Sequence, residues 1–94
     1  MKAVWTRTAI RDLTHIRECI ARENPDAARE IALKIVDATE RIIRFPEAGR
    51  MGRLRGTREK VVTGTPYLIV YRSKKTVIHF VRVLHGRQEW PKAT

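Results

Sequence analysis

Residues Lys2 to Thr6 alternate polar and apolar side chains, with Lys2, Val4 and Thr6 set against Ala3 and Trp5. A period of two predicts a short strand. Thr6 or Thr8 then supplies the hydroxyl that caps a helix. That helix carries Leu13, Ile16 and Ile20 on one face, with Ile10 extending the stripe, and is expected to run to about Glu23. Asn24-Pro25-Asp26 restarts the pattern. Asparagine caps, proline suits the first helical position, and aspartate meets the positive end of the helix dipole. Ala28, Ile31, Ile35, Ala38, Ile42 and Phe45 recur at gaps of three and four, the seam of a helical hairpin. Glu30 with Lys34, Asp37 with Arg41 and Glu40 with Arg44 are spaced to pair on the solvent face. Pro46 ends the helix.

Glu47 to Gly56 holds three glycines and three arginines and reads as a mobile loop. Three strands follow, at roughly Thr57–Val62, Tyr67–Arg72 and Val77–His85, joined by the turns Thr63–Pro66 and Ser73–Thr76. Such short connections imply an antiparallel meander. The fold class is therefore α+β, in the order β-α-α-β-β-β. A helical hairpin should pack on one face of a small, mainly antiparallel sheet, leaving the other face open to a partner. Residues 1–94 are expected to form a single domain.

The net charge of +10 sharpens this picture through its distribution. Met1 to Gly49 has nine Lys/Arg against eight Asp/Glu, whereas Arg50 to Thr94 has eleven against two. A one-sided positive field attracts polyanions such as nucleic acid, ribosome or acidic protein surfaces. The single cysteine, Cys19, cannot form an internal disulfide, and the start of the chain offers only Val4-Trp5 as an apolar run. Both features point to the reducing cytoplasm and to no membrane association.

Few residues suggest chemistry by themselves. His85 ends a strand beside Gly86 and Arg87, where it suits a general acid, a partner contact or a capped strand end. His15 and His79 lack metal-ligand spacing, so no metal or cofactor is expected. Strict alternation places Arg82 with Phe80 and Leu84, opposite His79, Val81, Val83 and His85. There Arg82 suits a phosphate or carboxylate clamp, or a pair with Glu59. Arg50, Arg53, Arg55, Arg58 and Lys60 form a charge run that suits either a solvated loop or a grip on a polyanion. Cys19 is expected to pack near the helical seam. Trp90 suits either an anchor for the tail or a partner contact.

Longer patterns carry a family resemblance. Ala9-x-x-Asp12-Leu13-x-x-Ile16, Phe45-Pro46-x-x-Gly49-Arg50, Gly56-Thr57-Arg58-Glu59, Tyr67-Leu68-Ile69-Val70-Tyr71-Arg72 and Arg82-Val83-Leu84-His85-Gly86-Arg87 occur in this order along the whole chain. In order and spacing they resemble the RelE/ParE superfamily of type II toxin–antitoxin toxins. RelE-like members are ribosome-dependent messenger-RNA endoribonucleases and typically carry an arginine on the strand that here reads Tyr67-Leu68-Ile69-Val70-Tyr71. Leu68 occupies that position and has neither charge nor donor. ParE-like members, which the resemblance links to inhibition of DNA gyrase, usually have an apolar residue there. They also share Tyr-Arg and Arg-Val-Leu-His, found here as Tyr71-Arg72 and Arg82–His85. One departure is the short stretch after Gln88-Glu89-Trp90-Pro91, where ParE-like chains often continue further.

The resemblance implies a non-enzymatic gyrase inhibitor on the ParE branch, with a ribonuclease using Arg58, Arg82, His85 and Arg87 as the alternative. It also implies a cognate antitoxin whose acidic C-terminal segment wraps the toxin, folding as it binds. Operator DNA would then be reached only through the antitoxin. Residues expected to meet a partner are Arg50, Arg53, Arg58, Arg72, Arg82, His85, Arg87 and Trp90.

Overall fold

The computed structural model describes residues 2–91. The chain runs β1 (Lys2–Trp5), α1 (Arg7–Glu23), α2 (Pro25–Arg44), β2 (Arg50–Met51), β3 (Arg58–Val61), β4 (Tyr67–Lys74) and β5 (Val77–His85). Both helix starts follow the local chemistry. The Thr6 hydroxyl accepts the Ala9 N–H at 3.1 Å, and the Asn24 side chain accepts that of Ala27 at 3.1 Å, with Pro25 in the first helical turn. Of the three spaced ion pairs on α2, Asp37–Arg41 forms, at 3.3 Å, and both side chains are well exposed. It therefore stabilises the helix by only a few tenths of a kcal/mol.

The five strands lie in the order β1-β5-β4-β3-β2. β1 is parallel to β5 and the other pairs are antiparallel. The helical hairpin carries the chain from the β1 edge across one sheet face. Ile35 and Ile42 of α2 pack there on Ile69 and Tyr71 of β4 and on Ile78, Phe80 and Val83 of β5. Leu13, Ile16 and Ile31 close the flanks, and the Trp5 and Phe80 rings lie 4.6 Å apart. Burying each such side chain contributes about 1.5–3 kcal/mol, so this layer is the principal core.

Four expectations change. A two-residue strand, β2, forms inside the segment read as a mobile loop. β4 runs on to Lys74, leaving a tighter turn in which Lys75 adopts φ +54°. Phe45 is 60% exposed because the chain leaves helical geometry there (φ −131°), swinging its ring out of the seam. Cys19 is exposed, with its sulfur 3.5 Å from His15 Nε2, and does not pack in the core.

A fifth change decides which residues share a face. Val70 pairs with Arg82 but Tyr71 pairs with Phe80, so Val81 is an extra residue in β5. Such a bulge inverts the alternation beyond it. Phe80 therefore shares the helix-covered face with Val83 and His85, and Arg82 and Leu84 join His79 on the opposite face. The grouping of Arg82 with Phe80 expected from strict alternation is thus incorrect.

Candidate functional site

Arg82 is held by Asp12 of α1. Its Nε and Nη2 donate to the two carboxylate oxygens at 2.7 and 3.1 Å. The same carboxylate accepts the Val83 N–H at 3.0 Å. The reason lies in strand length. β1 pairs only with Val77 to Phe80, leaving the outer edge of β5 bare beyond that point. The start of α1 closes it. Thr6 N–H donates to Phe80 O at 3.1 Å, the Thr6 hydroxyl donates to Val81 O at 2.9 Å, and Asp12 takes the next amide. Arg82 also lies 5.4 Å from the centre of the Trp90 ring. The alternative pairing of Arg82 with Glu59 does not occur.

Glu59 binds Arg50 and Arg53 instead. Its side chain is 1% exposed and accepts from Arg50 Nη2 at 3.1 Å, Arg53 Nη2 at 3.1 Å and the Arg53 N–H at 2.9 Å. Burial by itself would raise the carboxyl pKa. Hydrogen bonds from the Arg53 side chain and backbone, then from Arg50, outweigh it and hold the group below its ordinary value of 4.5. The loop is tied down a second time by Tyr71. Its buried hydroxyl donates to Pro46 O at 2.7 Å and accepts the Gly49 N–H at 2.9 Å. Burial raises the Tyr71 pKa, so the phenol stays protonated as a donor. Arg58 Nη1 donates to Gly49 O at 2.8 Å on the same loop. The segment read as mobile is thus anchored at Gly49, Arg50 and Arg53.

The remaining candidates lie apart. Arg58 stands opposite Tyr71, on the helix-covered face. His85 pairs with Tyr67, and their rings meet edge-on at 5.6 Å. His85 Nδ1 accepts the Arg87 N–H at 3.0 Å, which leaves its proton on Nε2 when neutral. Arg82, on the opposite face, is engaged by Asp12. Arg82 thus lies on the opposite sheet face from Arg58 and His85, which stand opposite Tyr71 and Tyr67, four residues apart on β4.

The uncovered sheet face divides in two. At one end Leu68, Val70 and Leu84 form a buried cluster under Val81 and Trp90. The face expected to be open to a partner is thus partly covered at this end, where Trp90 packs on the cluster. Its indole N–H is buried with no partner among the described residues. Towards the other end lie Arg50, Arg53, Arg72 and Lys74. Two clefts flank α2. One, of about 300 Å³, lies along the hairpin and is lined by apolar residues including Ile10, Leu13, Ile31 and Val36. The other, of about 410 Å³, lies between α2 and β3 and mixes apolar Leu33, Ala38 and Val61 with Lys34, Asp37, Arg41 and Lys60. Ile10, Leu33, Val36 and Val61 are each more than half exposed. No described helix is long and apolar enough to cross a membrane.

Residues 3–90 match the family profile described as the ParE toxin of the type II toxin–antitoxin system parDE. This chain belongs to the ParE toxin family. Among similar proteins, the toxin-named Y4kP of Sinorhizobium fredii is 38% identical over 88 residues, covering 94% of this chain and 91% of that protein. Toxin RelE2 of Caulobacter vibrioides is 36% identical over 85 residues, covering 90% and 94%. A chain of the chromosomal ParDE toxin–antitoxin system of P. aeruginosa superposes with a TM-score of 0.81 at 25% identity, covering 90% of this chain and 95% of that one. The α+β architecture is therefore that of the ParE family, and a type II system implies a cognate antitoxin as partner.

Sequence reasoning missed two residues of this framework, although each left a signal. A strand of four residues beside one of nine needs another element to cover the exposed edge, and Asp12 begins the second turn of the adjacent helix. A tyrosine inside an apolar strand needs a partner for its hydroxyl, which Tyr71 finds in the loop after the hairpin.

Proposed function

We propose that this ParE-family toxin binds and inhibits DNA gyrase without bond chemistry of its own, and that an acidic, amphipathic C-terminal segment of its cognate antitoxin neutralises it. The observation that carries this reading is the separation of Arg58, Arg82 and His85 onto two sheet faces, with Arg82 already engaged. Cleaving RNA through its 2′-hydroxyl requires a base, an acid and phosphate-binding cations within reach of one another. Leu68, 6% exposed under Trp90, adds no cation. Together these features favour a binding surface over a ribonuclease centre.

The apolar cleft along the hairpin and the mixed, basic-rimmed cleft between α2 and β3 suit the amphipathic segment of the antitoxin. Side chains at helical spacing would fill the clefts, while acidic residues would meet Lys34 and Lys60.

The name of the Caulobacter relative favours the alternative, a ribosome-dependent endoribonuclease. Assaying gyrase supercoiling beside messenger-RNA cleavage in a translating extract separates the two. The gyrase reading expects inhibition in the first assay and intact message in the second. Cleavage at the ribosomal A site with unimpaired supercoiling would replace it with the ribonuclease reading.

A further inference from the structure

We propose that the polar half of the uncovered sheet face is a binding site for the phosphate backbone of duplex DNA, held by the toxin itself and blind to base sequence. Arg72 lies on this face, two residues beyond Val70 on β4, and Lys74 follows two residues later. Lys2 lies on the same side of β1, because Ala3 and Trp5 point into the core. Glu59 pairs with Val70, so the arginines it binds, Arg50 and Arg53, border this surface. The Arg72 guanidinium abuts the turn at Gly56, where an added side-chain carbon would meet its Nη1 at 3.3 Å. Arg55, the residue before that turn glycine, is exposed. Among the described residues, Lys2, Arg50, Arg53, Arg72 and Lys74 thus share this surface with one carboxylate, that of Glu59.

Three features point to phosphate. First, Glu59 fixes two guanidinium groups while leaving them 63% and 45% exposed, so their remaining donors are presented already oriented. Planar guanidinium forks match phosphate oxygens in pairs. Second, the cations are spread and not clustered. Residues two apart on β4 are separated by about 6.8 Å, and five strands span roughly 19 Å. A duplex carries one charge per roughly 1.7 Å of its axis and can meet several such cations at once. Third, neither of the two clefts opens on this half. The clefts described above flank α2, and the apolar end of this face is closed by Trp90. Val4 and Val77 lie among the cations on this face, with Val4 38% exposed, but the deeper apolar seat for an amphipathic acidic peptide lies along the hairpin, whereas a polyanion needs none. The surface presents no element long enough to enter a groove and read base edges, so contact would be with phosphate alone.

The test is fluorescence anisotropy of the purified full-length chain with a labelled 30-base-pair duplex of arbitrary sequence, between 50 and 200 mM NaCl. No gyrase is present, so the outcome is independent of the gyrase reading. If about five phosphates are engaged, log K should fall with log salt at a slope of about −4.5. Arg72→Gln with Lys74→Gln should reduce the slope by about 1.8. Both side chains are exposed, so thermal melting should be unchanged. Arg29→Gln with Arg44→Gln, exposed on α2, should leave the slope unchanged. Absence of binding at 50 mM NaCl overturns the proposal, as does an equal loss in the α2 variant, which would mean attraction by overall charge. Tighter binding of a labelled 20-residue polyglutamate, with the same dependence on Arg72 and Lys74, would reassign the site to an acidic protein segment.

Discussion

Asp12 and Arg82, seventy positions apart, form a two-point ion pair whose carboxylate also accepts the Val83 N–H. The pair joins the second turn of α1 to the edge of β5 beyond the end of β1. It fixes the hairpin against the sheet where strand pairing stops. Both side chains are at least three-quarters shielded, so solvent screening is limited.

Replacing Asp12 with alanine should therefore destabilise the fold by about 3 kcal/mol, because it leaves a part-buried guanidinium and an edge amide unpaired. Urea unfolding of Asp12→Ala, Arg82→Met and the double variant would measure the coupling between them. A coupling of about 1 kcal/mol or more is expected. A coupling near zero would show that the pair does not contribute to stability.

Tyr71→Phe removes one hydroxyl that serves two backbone groups, Pro46 O and Gly49 N–H. The expected cost is about 2 kcal/mol, since the Gly49 amide would stay buried without a partner. Trypsin should also cut faster after Arg50, Arg53 or Arg55. Unchanged proteolysis would mean that the Glu59 contacts alone hold the loop.

Glu59 gives the fold an acid-sensitive contact. Its pKa is lowered in the folded state, so its contribution is fully present above the ordinary value of 4.5 and is lost as pH falls through the folded value. Glu59→Gln should cost about 2 kcal/mol at pH 7 and flatten the fall in stability below pH 4.5. Parallel acid-unfolding slopes for the two proteins would show that another carboxylate governs that range.

The sequence made much of this architecture legible and left its tertiary pairings hidden, for physical reasons. Thr6, Asn24 and Pro25 act through the backbone within three residues, so both helix starts could be read locally. Ile35, Ile42, Ile69 and Phe80 lie on faces set by simple periods. Face membership after Phe80 was not legible, because Val81 is inserted by its register with β4 and by no local signal. The choice of Asp12 over Glu59 as partner for Arg82 depends on which edge β1 leaves uncovered, a consequence of topology. The arginines after the hairpin were visible as a charge run. That Glu59 orients two of them follows only from the pairing of β3 with β4.

The central claim is that this chain acts by binding gyrase, and supercoiling of a relaxed plasmid tests it most directly. The purified toxin should block supercoiling by gyrase and accumulate cleaved plasmid, and the antitoxin should reverse both effects. Supercoiling untouched at high molar excess, together with A-site cleavage of message that His85→Ala abolishes, would contradict the account.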